Sequence, residues 1–375
     1  MSRIDKMRTK VAAQCATIAD LASQIEADIR TRGLAPGDPY QGTTETARML
    51  KVGSIPVNQA MQLLVKRNVL ERRQRLGTFI SRSFDPSQNG AGLKKVHVLM
   101  YDHHLVDEGI FGSGLLMGLQ GALPGTHIQF DFMPPNVQEE SRYLRDIVDE
   151  ALRTRSADGF VLFNSTVEMQ RIFSESGLPT VVAGHLYASI NGLSFVDRDQ
   201  KHVGRLLAEY LVGRGHKRIL MITRQRPGMG PGEYLAADAV GEVAAAAGLS
   251  ANALMIRSLP HDPAAIRCEV QRLLEANRDD LPGILLRPWQ MVDAVYEGIE
   301  SIGLQPQRDV AVAVADYYQP LSSKPHFPVI RSTLTLDEYG AQLARILQVR
   351  SLGESLDSAG TMIPVRLEVP RQMSH

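Results

Sequence analysis

Leu70-Glu71-Arg72-Arg73-Gln74-Arg75-Leu76-Gly77-Thr78-Phe79-Ile80 reads as a short basic hairpin, with Arg72, Arg73 and Arg75 about its tip and Gly77 opening the returning strand. Guanidinium groups displace condensed counterions and bind phosphate oxygens in pairs, so such a hairpin suits a phosphate backbone. Residues 66–82 hold Lys66, Arg67, Arg72, Arg73, Arg75 and Arg82 against the single acid Glu71. Taken alone, that run also fits an ordinary solvated face. Its place behind three helices makes double-stranded DNA the first partner to consider.

Working outward from the hairpin, Val57, Ala60, Met61, Leu64 and Val65 recur at helical spacing, with Ser54 as a cap and Pro56 tolerated in the first turn. A shorter helix is predicted from Thr43 or Thr44 to Leu50, followed by a tight turn through Lys51-Val52-Gly53. Before it, Ile18, Leu21, Ile25 and Ile29 mark one buried helical face that ends at Gly33. Helix, turn, helix and basic hairpin together predict a winged helix-turn-helix over residues 16–82, after an N-terminal extension of residues 1–15.

Residues 83–94, Ser83 to Lys94, are small and polar and read as a linker. Beyond it, apolar strands alternate with helical stretches: Val96 to Met100, Ile128 to Phe132, Gly159 to Phe163, Thr180 to Ala183, Arg218 to Ile222, Gly283 to Leu286 and Val310 to Ala315. This alternation predicts an α/β fold with Rossmann-like parallel sheets and helices on both faces. Residues 95–370 exceed what one such sheet uses, so two lobes are expected. Lobe one is placed at about 95–195 and 318–345, and lobe two at about 196–317 and 346–370.

The chain's 375 residues are 44% hydrophobic and 22% charged with zero formal net charge, enough apolar material for real cores. Its two cysteines, Cys15 and Cys268, are far apart and fit a reducing, cytoplasmic compartment. Met1 to Lys10 is charged, and no apolar run reaches the ~18 residues a membrane span needs, so neither export nor membrane insertion is expected.

The N-terminal region resembles the GntR-type winged-helix regulators. Ile25-Glu26-Ala27-Asp28-Ile29-Arg30, Gly33-Leu34-Ala35-Pro36-Gly37-Asp38, Val57 to Leu64, Leu70-Glu71-Arg72-Arg73-Gln74 and Gly77-Thr78-Phe79 carry the likeness. The rest resembles the effector domain of LacI/GalR-type repressors, a periplasmic-binding-protein-like fold. Its anchors are Ser194-Phe195-Val196-Asp197 leading into Gly204, Gly215-His216-Lys217-Arg218-Ile219, and Ile302-Gly303-Leu304 with Arg308 to Val312 and Asp316. A GntR-type head on a LacI-type body is similar to the arabinose-operon repressor family.

The departures are informative too. Where the resemblance implies DNA-touching arginines, this chain has Thr44, Ser54 and Asn58. Gly230 to Gly241 lacks the arginine implied for sugar hydroxyls, and Arg287-Pro288 replaces an implied Asn-Asp pair.

On the third helix, Asn58 and Gln62 lie four residues apart on the face opposite the Val57-Met61-Leu64 stripe, with Ile55 and Gln59 beside them. Amide side chains pair with the donor and acceptor edge of adenine. Asn58 and Gln62 are therefore candidate base readers, and Arg72, Arg73 and Arg75 candidate backbone or minor-groove contacts. The alternative is a head that has drifted into a structural or dimerisation module.

Ligands of open α/β sheets sit beyond the carboxyl ends of the strands. Asp102, His103, Phe111, Asn164, His185, Arg224, Arg287, Trp289 and Asp316 fall there and are the effector-binding candidates. Trp289, the only tryptophan, is a candidate stacking ring for a sugar face or else a cover for apolar neighbours. Arg224, Arg226 and Arg287 could instead favour a sugar acid or phosphate.

Gly112-Ser113-Gly114 with Gly118 lacks the third glycine of a dinucleotide loop and reads as close helix packing. Asp102-His103-His104 with Asp107 and Glu108 reads as cleft lining in preference to a metal site. No catalytic constellation, metal site or cofactor is expected.

The resemblance thus implies a cytoplasmic, homodimeric regulator that binds a DNA operator and is controlled by a sugar or sugar derivative held between two lobes, with repression relieved by ligand as its default mode. The alternatives are an effector-binding module that has lost operator recognition, and an enzyme on the same scaffold.

Overall fold

The computed structural model describes residues 18–66, 69–73, 76–82, 84, 93–101, 114–123, 126–134, 137–154, 156–225, 230–318, 323–352 and 360–370. The extension 1–15, most of the linker, and the candidates Arg75, Asp102, His103 and Phe111 lie outside these residues.

The head is built from α1 (Ile18–Thr31), α2 (Thr43–Leu50) and α3 (Ser54–Lys66). Strands β1 (Pro39–Tyr40), β2 (Leu70–Arg73) and β3 (Gly77–Ile80) form an antiparallel sheet in the order β1-β3-β2. The helical spacing read from sequence is the spacing that packs: Leu21, Ile25 and Ile29 meet Val57, Met61, Leu64, Leu70 and Ile80 in one fully or almost fully buried cluster. Each such side chain contributes roughly 1.5–3 kcal/mol by leaving water, which makes this cluster the main force holding the wing to the helices. Gly77 takes φ +108, a conformation L side chains rarely adopt, and lets the second wing strand return against the first.

The chain divides into two compact units, one comprising Met1–Asp102, Leu119–Val196 and Ala341–Thr361, the other His103–Gly118, Asp197–Gly340 and Met362–His375.

In the first unit the sheet includes β4 (Lys95–Met100), β5 (His127–Phe132), β6 (Asp158–Phe163), β7 (Thr180–Ala183), β8 (Ser194–Arg198) and β14 (Thr361–Ile363), in the order β14-β8-β7-β6-β4-β5. The β5-β4-β6-β7-β8 pairs are parallel. Helix α4 (Leu115–Ala122) follows β4 in sequence, α5 (Val137–Thr154) lies between β5 and β6, and α6 (Val167–Ser176) between β6 and β7. Thr166 caps α6 by accepting from the Met169 amide, and Gly177 ends it.

The second unit's sheet runs β10 (Leu254–Leu259), β9 (Ile219–Arg224), β11 (Gly283–Pro288), β12 (Val312–Asp316), β13 (Val329–Ser332), β15 (Val365–Glu368). All neighbours are parallel except β15, which pairs antiparallel with β13. Helices α7 (Gln200–Gly213) and α8 (Pro231–Ala246) bury Val203, Leu207, Ala236 and Val240 on one face. Helices α9 (Pro263–Glu275) and α10 (Val292–Glu300) bury Ile266, Val270, Val295 and Ile299 on the other. This is the doubly wound α/β arrangement that the alternating pattern predicts.

The expected lobe bounds need correction. Residues 318 and 323–340, expected in lobe one, lie in the second unit, because β13 pairs with β12, and residues 346–352 and 360–361, expected in lobe two, lie in the first. The chain crosses to the first unit within α11 (Leu336–Ser351) and returns at Met362. The close packing expected at Gly118 is present: a Cβ there would stand 1.9 Å from the Asp337 carbonyl oxygen.

Candidate functional site

In the head, α3 buries Val57, Ala60, Met61 and Leu64 and turns the opposite face outward. On that face Ser54, Ile55, Gln59 and Gln62 are exposed and Asn58 is half-buried, while Thr44 is exposed on α2. The wing arginines differ in what they touch. Strand alternation sends Arg72 and Arg73 to opposite faces of β2. Arg72 Nη2 donates to Asn58 Oδ1 at 2.8 Å and reaches Thr43 Oγ1 at 3.4 Å. Arg73 instead pairs with Glu71 at 3.3 Å and lies over the Phe79 ring at 4.7 Å. The Arg73 hydrogen bond holds the Glu71 carboxyl below its usual range. Arg72 is thus joined to the candidate reading helix, and Arg73 to its own hairpin.

In the second unit Asp197, Arg198 and the carboxyl ends of β9, β11 and β12 bring together a charged cluster. Arg287 Nε donates to Asp316 Oδ2 at 3.1 Å and its Nη2 to Oδ1 at 3.2 Å, while Arg198 also pairs with Oδ1. Arg198 donates from Nη1 to the Ala315 carbonyl at 2.7 Å and lies over the Tyr318 ring at 5.2 Å. Gln200 links two of the groups, accepting from Arg287 Nη2 at 3.2 Å and donating to Asp197 Oδ1 at 2.9 Å. Burial alone would push the Asp316 carboxyl up, but the Arg287 and Arg198 guanidinium groups outweigh it and hold the group below the usual carboxylate range. Burial opposes the charge on Arg287 as well, and Asp316 and Glu233 more than offset it.

A small open pocket lies against this cluster, lined by Arg224, Glu233, Arg287, Pro288, Gln290, Asp316 and Tyr318. The structure therefore brings the candidates Arg224, Arg287 and Asp316 together. Arg224 Nη2 donates to Gln290 Oε1 at 3.2 Å. Trp289 sits beside the pocket, in a 3-10 turn spanning Trp289–Met291, packed on the apolar cluster and edge-on to Tyr317 with centroids 5.9 Å apart. Among the described residues Tyr318 supplies the pocket's aromatic ring.

The first unit has its own polar cluster at strand ends. Tyr101 Oη donates to Glu140 Oε2 at 2.8 Å and Thr166 Oγ1 to Glu140 Oε1 at 3.0 Å. Burial, reinforced by Glu140, raises the Tyr101 hydroxyl well above its ordinary value. Gln170, almost fully buried, donates to Ser165 Oγ and to the His185 carbonyl, both at 3.0 Å. Asn164 closes β6 with φ +46, and the His185 ring packs on Phe195 with centroids 4.5 Å apart. Asn164 and His185 thus share a strand-end layer, whereas the other candidates of this region lie outside the described residues.

Sequence reasoning passed over Arg198, Gln200 and Glu233, whereas Tyr318 was expected at the strand ends beside Asp316. The signal for Arg198 was its place at the end of the Ser194-Phe195-Val196-Asp197 anchor. Glu233 hides because its oxygen first caps α8, accepting from the Gly230 amide at 2.7 Å. Among the described residues no group of three or more His, Cys, Asp or Glu could hold a metal ion, and no helix is long and apolar enough to cross a membrane.

Residues 17–80 match the model of the bacterial regulatory proteins, gntR family. Solved structures share the fold of the remainder. A probable maltose operon transcriptional repressor from Staphylococcus aureus is 14% identical with a TM-score of 0.61, covering 76% of this chain and 99% of its own. The transcriptional regulator CelR in complex with cellobiose is 17% identical at 0.60, covering 88% and 99%. A LacI family transcriptional regulator from Enterococcus faecium with bound ribose is 18% identical at 0.57, covering 73% and 97%. The comparison with curated protein sequences gives no match. The head is therefore a winged helix of the kind found in the gntR family of bacterial regulatory proteins, and the body shares the fold of LacI-family regulators.

Proposed function

We propose that this regulator is a cytoplasmic, homodimeric repressor whose grip on a DNA operator is set by a small-molecule effector, a sugar or sugar derivative, and that it has no catalytic role. The observation that carries this reading is the pocket against Arg287 and Asp316, at the strand ends of a body whose fold is shared with regulators solved with cellobiose and with ribose. A dimer's paired heads must match half-site spacing, so an effector that binds one arrangement better changes operator affinity by its differential binding energy. The Asp316 carboxylate is already held by two arginines, which makes sugar acids and sugar phosphates members of the effector class to be tried beside neutral sugars.

The test is a thermal-shift panel of neutral sugars, sugar acids and sugar phosphates, followed by operator release with any hit. An effector that stabilises the protein and lowers operator affinity supports the reading, and turnover of that effector would overturn its non-enzymatic part. The absence of arginine from the outward face of α3 favours a second reading, a head that no longer selects an operator. Affinity for selected against random DNA separates the two.

A further inference from the structure

Arg72 fixes what Asn58 can say to a base. A guanidinium has only donors, so the Asn58 atom it meets at 2.8 Å is the carbonyl oxygen, and the amide NH2 is left as the group available to DNA. The bidentate adenine contact expected from Asn58 needs oxygen and nitrogen presented together, whereas the Arg72 bond engages one of the oxygen's two lone pairs and holds the oxygen to the wing. One turn earlier on the same face stands Ile55, with 76% of its surface exposed although Val57, Ala60, Met61 and Leu64 of the same helix are buried. An apolar side chain and a fixed donor therefore project side by side, at positions i and i+3 of the helix.

Among the four bases, thymine alone offers the complement in the major groove, a 5-methyl group beside the O4 acceptor. Guanine presents two acceptors and no methyl, adenine an acceptor and a donor, cytosine a donor. We propose that Ile55 and Asn58 together read thymine, Ile55 through its methyl group and Asn58 through O4, and that Arg72 is the positioning residue that sets this choice. The inference rests on the head's binding of DNA and deepens it: the half-site carries a thymine under the first turns of α3.

The experiment uses the full-length protein and the best duplex selected from a random library, with each thymine replaced singly by deoxyuridine, which removes only the methyl. One thymine per half-site is expected at which deoxyuridine weakens binding about four-fold, the value of one buried methyl-sized group. Ile55→Ala is expected to abolish that difference without altering the salt dependence, and because Ile55 is exposed the variant folds as the parent does. Arg72→Ala is expected to keep the methyl effect and narrow the preference for thymine over adenine at that position, since the Asn58 carbonyl is released. A specific site bound equally with deoxyuridine everywhere, or a methyl effect that persists in Ile55→Ala, overturns the inference while leaving DNA recognition intact. Selection that yields no preferred site overturns both.

Discussion

Asp316→Asn would leave two buried guanidinium groups facing a neutral amide. The Arg198 and Arg287 side chains are 8% and 7% exposed and that of Asp316 18%, so the carboxylate is the only one of the three with appreciable access to the pocket. Removing one partner of a buried pair costs about 3–5 kcal/mol, and the partial opening at Asp316 places this case near 3 kcal/mol. Arg287→Met removes one of two cations. Asp316 keeps Arg198, and the two bonds lost to Asp316 are offset by no longer burying a second cation, which leaves about 1 kcal/mol for the lost donor to Gln200. The carboxylate should therefore matter about three times as much as Arg287. Trp289 is the sole tryptophan and lies in the same unit, so its fluorescence during urea unfolding reports this unit directly. With a slope of about 2 kcal/mol/M, the midpoint falls by about 1.5 M for Asp316→Asn and about 0.5 M for Arg287→Met. A midpoint unchanged in Asp316→Asn, or a larger fall in Arg287→Met, would refute the account of this cluster.

Further outcomes follow from other parts of the molecule. His97 is held between Asp131 at 2.6 Å and Asp158 at 3.6 Å. Burial alone would lower its pKa, but hydrogen bonds and charge from the two carboxylates raise it to about 9. The folded value lies above the unfolded one, so the stabilisation is complete below pH 6.5 and is lost as pH rises through 9, on the order of 2 kcal/mol after solvent screening. Circular-dichroism urea midpoints at pH 6.5 and 9.5 should therefore differ in the parent and converge in His97→Gln. Gly118→Ala places a Cβ 1.9 Å from the Asp337 carbonyl oxygen and should cost about 2 kcal/mol. Gly121→Ala, with nothing within 4 Å, should stabilise by roughly 0.5–1 kcal/mol, and thermal melts distinguish the two. Arg72→Ala should flatten the salt slope of DNA binding by about 0.9, whereas Arg73→Ala, whose guanidinium is paired with Glu71, should change it less. Equal slopes for the two variants would count against their different placement.

The head was legible because every one of its signals is local. Ile25, Ile29, Val57, Met61 and Leu64 announce their faces by spacing, and Gly33 and Gly77 mark where the chain turns. The strongly apolar central strands were legible for the same reason. Strand β10, Leu-Met-Ile-Arg-Ser-Leu, was not, because at the sheet edge it is only partly buried and carries Arg257 and Ser258. The short strands β13, β14 and β15 have too few residues to show a period, and they decide where the chain crosses between units.

The charged cluster was half legible. Arg287 and Asp316 stand at predictable strand ends, but that both arginines converge on one carboxylate depends on pairing residues more than a hundred positions apart, such as Arg198 and Asp316. The Arg72 bond to Asn58 is likewise a tertiary fact. Sequence alone placed both on the DNA side without showing that one constrains the other.

The most direct test is selection of bound genomic fragments by the purified protein, followed by affinity for the best fragment against random DNA at two salt concentrations. The account predicts a palindromic site bound ~10³-fold or more over random DNA. Binding without sequence preference at either salt concentration would contradict it.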